Sequence, residues 1–359
     1  MRLLTFLCLI AFYSKSQSAD TLLPSFLSIP NDTERVNQLY KKGFSLRNSE
    51  PNTAFQFAHY CEQSALASKS EKHLAKSYNL LGILFYKKGD FKKAIHYHKE
   101  ALQLRQRCND VLGTAFSLTN LGNIYVDLKL YHLAENNHLS ALEVYQQLKD
   151  ETRIANCLIN IGILKQEMKQ HDAAYEHYKL AYQIGNKLND YDIRSICLNN
   201  IAVTYYYKGN YEKAISYNED ALELRNLMDN AVEVTDSYIN LASCYIQLHE
   251  PQKARENLDT AISLSNYFDY YEARQEALKV SADYFYLVKD YQKAFESINR
   301  YYTVHDSVLA EENNAHFLLD FEEPLNNNHN SENTPNLWML LLLISAIILI
   351  PFYLVKYKR

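Results

Sequence analysis

The feature that most constrains this chain is a repeat: the same residue types return every 40 positions along most of its 359 residues. Leu81-Gly82, Leu121-Gly122, Ile161-Gly162, Ile201-Ala202 and Leu241-Ala242 are five copies of one large-small pair. Thirteen residues after each large residue stands an alanine, at Ala94, Ala134, Ala174, Ala214 and Ala254. Seven further on stands another, at Ala101, Ala141, Ala181, Ala221 and Ala261. Aromatics keep the same register at Phe85, Tyr125, Tyr205 and Tyr245, and again at Phe91, Tyr131 and Tyr211. Unrelated amphipathic helices would drift out of phase, so each copy is one supersecondary unit that buries its apolar face against the next. Small residues are needed where helices cross closely, and large ones fill the space between. Eight glycines and seven prolines are few, as a mostly helical chain requires. Pro51 and Pro251 both fall at the expected first turn of the second helix of a unit, where a helix accepts proline.

The segment Tyr78 to Leu102 (YNLLGILFYKKGDFKKAIHYHKEAL) resembles the tetratricopeptide repeat (TPR) family through both of its helices. The resemblance implies an all-α fold, an α-solenoid in the form of a right-handed superhelix of about seven helix-pair repeats. Ala54 and Cys61 upstream, and Ala282, Phe285, Tyr291, Ala294 and Tyr301 downstream, hold the phase. The array therefore covers residues 35–302, with repeats starting near 35, 75, 115, 155, 195, 235 and 275, the outer two degenerate as caps. The usual terminal proline is replaced by the turns Asn109-Asp110, Lys149-Asp150, Asn189-Asp190 and Asp229-Asn230. Both helices are thus longer, similar to the 40-residue repeats of kinesin light chain and bacterial peptide-pheromone receptors. A capping helix is expected over 303–323, followed by an Asn-rich linker over 324–336.

The ends carry different signals. Met1-Arg2, the apolar run Leu3 to Phe12 and the small residues up to Ala19 read as a signal peptide over 1–19. Leu337 to Val355 is uncharged and of spanning length, with Trp338, Tyr353 and Tyr357 at its borders. Residues 356–359 form a basic tail, while 324–336 hold no Lys or Arg. The positive-inside rule then predicts a single-pass membrane protein with a C-terminal transmembrane helix, a periplasmic or extracellular array and a short cytoplasmic tail.

In a TPR superhelix the first helix of each pair lines the concave face. Asn120, Asn160, Asn200 and Asn240 precede the large-small pair in successive units and form a ladder along that face. A primary amide both donates to and accepts from a peptide backbone, which suits capture of an extended segment. In the related 40-residue families matching asparagines hold bound peptides, so the resemblance implies that role here. Asn123, Gln166, Asn199, Tyr206 and Gln247 are the further candidate partner-binding residues, beside Ile159, Ile163, Val203 and Ser243. An alternative stays open, in which each ladder amide bonds an adjacent helix and only fixes repeat stacking. The face lacks the Lys/Arg set of a carboxylate clamp.

No catalytic constellation, P-loop or dinucleotide motif is present, and no cofactor or metal is expected. His98 and His138 share one repeat position with Tyr178 and read as packing variants, and Cys157 and Cys197 share another and read as core. The 37 basic and 42 acidic residues nearly cancel, with no basic block before the tail, which disfavours nucleic acid as a partner. The sequence thus predicts a non-enzymatic, membrane-anchored interaction module that binds an extended peptide or protein segment in its concave groove. The alternative is the sensory subunit of a signal-transduction or transcription-control system whose output domain is absent or is supplied in trans by a cytoplasmic or membrane signalling partner. The order of segments, and the stretch Tyr301 to Asn313, resemble the sensor arms of bacterial single-span membrane regulators.

Overall fold

The computed structural model describes residues 19–312, apart from 229 and 269. These lie in the first of two units of the chain, 1–318; the second is 319–359. The signal peptide, the end of the capping segment, the linker, the span and the tail expected from sequence lie outside the described residues, save residue 19 itself.

Fifteen helices are described and no strand. A short helix α1 (Ala19–Leu27) precedes seven pairs: α2 (Asp32–Leu46) with α3 (Pro51–Ala67), α4 (Glu71–Lys87) with α5 (Phe91–Arg107), and α6 (Val111–Asp127) with α7 (Tyr131–Gln147). Then come α8 (Glu151–Glu167) with α9 (His171–Leu188), α10 (Tyr191–Tyr207) with α11 (Tyr211–Leu227), α12 (Ala231–Gln247) with α13 (Pro251–Tyr267), and α14 (Tyr271–Leu287) with α15 (Tyr291–Glu312). Helices from α3 onward begin every 20 residues, so the two helices of a unit are nearly equal in length.

Local chemistry sets this spacing. Ser70, Asp110, Asp150, Asp190 and Asn230 each accept a hydrogen bond from the backbone N–H three residues on, capping the first helix of a pair. The first helices therefore begin three or four residues ahead of the register read from the small residues. Ten of these helices, α3 to α10, α12 and α14, then stop on one residue of positive φ, at Lys69, Gly89, Asn109, Lys129, Lys149, Lys169, Asn189, Gly209, His249 and Lys289. Only glycine adopts that conformation without a steric penalty. Lys129→Gly and Lys169→Gly (φ 59° at both) are accordingly expected to stabilise the array by about 0.5–1 kcal/mol each, read as a rise in urea midpoint.

The repeated alanines of both series are wholly buried where the helices cross. Large side chains from three successive helices interleave over them, as with Leu158, Tyr178, Ile193 and Ile201 around Ala174 and Ala181. The small half of the large-small pair has its own partner. A Cβ added at Gly82 would lie 2.7 Å from His98, at Gly122 2.6 Å from His138, and at Gly162 2.4 Å from Tyr178. At one end α1 covers the first pair, with Leu23 buried and Phe26 edge-on to Phe57 at 5.3 Å.

Successive first helices touch one another, from α2·α4 through α12·α14, whereas successive second helices do not. The first helices therefore line the inner side of the curve.

Two expectations change. Helix α15 runs unbroken through Tyr301 to Glu312, with no glycine, proline or capping turn to separate a further helix at 303. The extracytoplasmic placement on a membrane-spanning anchor is corrected: among the described residues no helix is long and apolar enough to cross a membrane. Each helix of the array keeps a polar stripe, as Glu151, Arg153, Lys165 and Glu167 do on α8.

Candidate functional site

Asn120, Asn160, Asn200 and Asn240 occupy one position on α6, α8, α10 and α12, and all four are half-buried. Their bonding differs. Asn120 Nδ2 donates to Asn79 Oδ1 at 3.0 Å, and Asn79, only 6% exposed, donates in turn to the Tyr40 hydroxyl at 3.3 Å. Asn240 Nδ2 donates to Asn199 Oδ1 at 3.0 Å, which also accepts from Arg225 Nη1 at 3.2 Å. Each of these partners stands 41 residues earlier, on the preceding inner helix. The same offset gives Asn160 the side chain of Thr119, whose hydroxyl already faces the Ala115 carbonyl at 2.9 Å and the Tyr145 hydroxyl at 3.2 Å. It gives Asn200 the side chain of Ile159, which has no polar atom to offer. Among the described residues, Asn160 and Asn200 make no side-chain hydrogen bond. The ladder thus has two fixed outer rungs and two free inner ones.

The fixed rungs belong to two seams built alike, each member 120 residues from its counterpart. Arg105 Nη1 donates to the Gly113 carbonyl at 2.8 Å and Ser117 Oγ at 2.7 Å; Arg225 Nη1 donates to the Glu233 carbonyl at 2.8 Å and Ser237 Oγ at 2.6 Å. Burial draws both guanidinium pKa values down, opposed by Asp110 at one and by Glu233 and Asp236 at the other. Tyr86 donates to Asp127 at 2.5 Å, and Tyr206 bonds Gln247. Phe85 stacks on Tyr97, and Tyr205 on Tyr217, both with centroids 5.4 Å apart. A buried, hydrogen-bonded cation is costly to disturb, so these seams hold the second pair to the third and the fifth to the sixth.

The other predicted residues divide in the same way. Gln166 accepts from buried Thr204 at 3.2 Å, while Asn123 and Tyr206 are half-buried and Gln247 is exposed. Ile163, beside Asn160, is 36% exposed on the inner face. Past the inner rungs a cavity of about 140 Å³ opens between α10, α12 and α14, where Tyr206 and Asn240 meet Asn218, Glu276, Lys279 and Asp283. The sequence reading missed Asn79, Arg105, Arg225, Asn218 and the charged residues of α14. Comparison of units three apart would have exposed Asn79 with Asn199 and Arg105 with Arg225. Asn218 was hidden because its position elsewhere holds His98, His138 and Tyr178, all core.

Two family models, both described as Tetratricopeptide repeat, match this sequence: one over residues 73–147, 113–187 and 153–226, the other over 235–267. Together they span more than half of the chain. No curated protein matches the sequence significantly. Among solved structures, the apo form of RapI is similar with a TM-score of 0.60 at 18% identity, over 77% of this chain and 98% of that one. NprR in complex with its cognate peptide NprX gives a TM-score of 0.53 at 20% identity, over 85% and 98%. A signal transduction ATPase of the STAND class with a tetratricopeptide repeat sensor, PH0952 from Pyrococcus horikoshii, gives 0.60 at 18% identity, over 86% of this chain and 48% of that one. At such identities the likeness shows the fold. The repeat register, the paired helices and the family models agree: this chain belongs to the tetratricopeptide repeat family.

Proposed function

We propose that the chain is an interaction module that binds an extended peptide or protein segment along its inner face, with Asn160 and Asn200 bonding the backbone of the bound segment. The observation that carries this is the pair of half-buried amides without partners, placed between two seams that hold their neighbours rigid. Both amides stay open at the inner face, and a primary amide offers a donor and an acceptor to each peptide unit. Ile163 and Val203 flank them and supply apolar contact. Solenoids of this family serve typically as scaffolds for recognition rather than as enzymes, and the structurally similar NprR holds a peptide, which supports the same reading here.

The double variant Asn160→Ala/Asn200→Ala is expected to lose binding of a captured segment by tenfold or more while its urea midpoint stays that of the wild type. Asn120→Ala or Asn240→Ala is expected to lower stability instead, by about 1–2 kcal/mol, because buried Asn79 Oδ1 loses its donor and Asn199 Oδ1 loses one of its two. Equal destabilisation by all four substitutions would make the ladder architectural throughout and end the reading.

A second reading, the sensory part of a signalling system, is favoured by the likeness to a solved ATPase whose repeats are a sensor. It uses the same groove, and the bound segment is then the signal.

A further inference from the structure

The outer side of the array carries a void where the repeat pattern calls for a filled seam. Between α13 and α15, with α14 as its floor, lies a cavity of about 340 Å³. Leu258 and Ile262 of α13 line one side, and Tyr284, Phe285 and Val288 the other. The seam 160 residues earlier packs into one apolar cluster of Ile95, Leu121 and Tyr125, with Leu102, Leu128, Leu130 and Leu133 against them. Four of those seven positions turn polar here, as Arg255, Ser281, Asp290 and Lys293, while Ile262, Phe285 and Val288 keep the apolar character of the rest. Ser281 stands where five other units have Leu or Ile, yet it is only 6% exposed, so the change is no adaptation to solvent. Its hydroxyl donates to the Ala277 carbonyl at 2.6 Å. The charges around the cavity cancel in pairs: Arg255 Nε stands 3.3 Å from Asp259 Oδ2, and Lys293 Nζ 2.9 Å from Asp290 Oδ2. What is left open is apolar surface and two rings, Tyr284 edge-on to Phe285 with centroids 5.3 Å apart. Protein interiors are close-packed, and an apolar void that the packing leaves unfilled readily takes an apolar guest.

We propose that this cavity is a binding site for a small uncharged aromatic ligand of one or two rings, seated over Ser281 between Ile262 and Phe285. The volume falls within the range of small-ligand sites, roughly 300–1,000 Å³. Offset or edge-on packing against Phe285 and Tyr284 favours an aromatic guest over an aliphatic one of equal area. Two cations and two anions give the lining no net charge, so the affinity comes from the apolar surface that the ligand removes from water. The site lies on the outer side of the array and stands independently of the peptide groove.

The test uses the full-length chain with indole as the probe, followed through methyl NMR signals. The expected result is a saturable shift at Leu258, Ile262 and Val288, while Leu121 and Leu128 of the filled seam stay unmoved. Ser281→Leu, which restores the residue type of the other units, is expected to weaken indole binding by about tenfold or more and to raise the urea midpoint, because the leucine occupies the void. Arg255→Ile narrows the cavity from the α13 side, as Ile95 does in the filled seam, and is expected to weaken binding in the same way; it decides the matter should Ser281→Leu fail to fold. Ser281→Ala removes the hydroxyl without filling the space and is expected to bind indole as the wild type does. The proposal is overturned if indole shifts the methyls of both seams alike or of neither, or if Ser281→Leu and Arg255→Ile bind it as tightly as the wild type.

Discussion

Gly162→Ala is expected to unfold the fourth helix pair. The added Cβ would stand 2.4 Å from Tyr178 Cε1, 2.7 Å from Cδ1 and 2.9 Å from Cζ. The ring is fully buried and packed among Ala155, Ala174, Ala181 and Cys197, so it has nowhere to move. Overpacking of this kind costs about 3 kcal/mol, enough to melt one unit of a solenoid whose stability is a sum of local terms. The fifth and sixth pairs show the compensated arrangement, with Ala202 matched to Asn218 and Ala242 to Leu258 at the same two positions. Gly162→Ala/Tyr178→Asn is therefore expected to be more stable than the sum of its single variants predicts. Urea unfolding and hydrogen exchange in α8 and α9 read both effects. A wild-type midpoint for Gly162→Ala would show that the helices separate freely, against the packing described here.

Acid is expected to weaken the array through two of the side chains that sit over these glycines. His98 and His138 are buried, and burial lowers their pKa values to about 3 and about 4. Arg105 depresses His98 further; no ionisable group adds to burial at His138. Both rings are thus neutral in the folded chain, while in the unfolded chain they take up a proton near the ordinary histidine pKa of about 6.5. Below that value the unfolded state binds more protons, so stability falls as the pH drops from about 6.5 towards 4 at His138 and towards 3 at His98. By pH 5 each histidine accounts for a loss of about 2 kcal/mol relative to pH 8. His138→Tyr, which places at 138 the residue found at 178, is expected to flatten its share of the slope in denaturant titrations between those pH values. An unchanged slope would mean that the ring is already charged or exposed in the native state.

The repeat register made the helix pairs legible because the alanines and the large-small pairs mark helix crossings, where packing tolerates little substitution. The caps were legible too, since Asp110, Asp150 and Asp190 stand in the turns read from sequence. The division of the asparagine ladder was not. Four identical residues at identical positions differ only in what stands 41 residues earlier: Asn79, Thr119, Ile159 and Asn199. That offset is a property of how one inner helix lies against the next, and it is known only once the helices are stacked. The cavity was hidden for a related reason. Its lining comes from three inner helices and one outer helix, and Asn218 occupies a position that every neighbouring unit gives to the core.

The account's central claim is that the two inner rungs face a ligand and the two outer rungs face the protein. A photo-crosslinking residue at Ile163, next to Asn160 on the inner face, tests it most directly when compared with one at Leu139 on the outer helix α7, which is 48% exposed. The prediction is a discrete crosslinked species from position 163 alone, lost when Asn160 and Asn200 become alanine and retained when Asn120 does. Equal crosslinking from both faces, or a product from 163 that survives the loss of both inner amides, would contradict it.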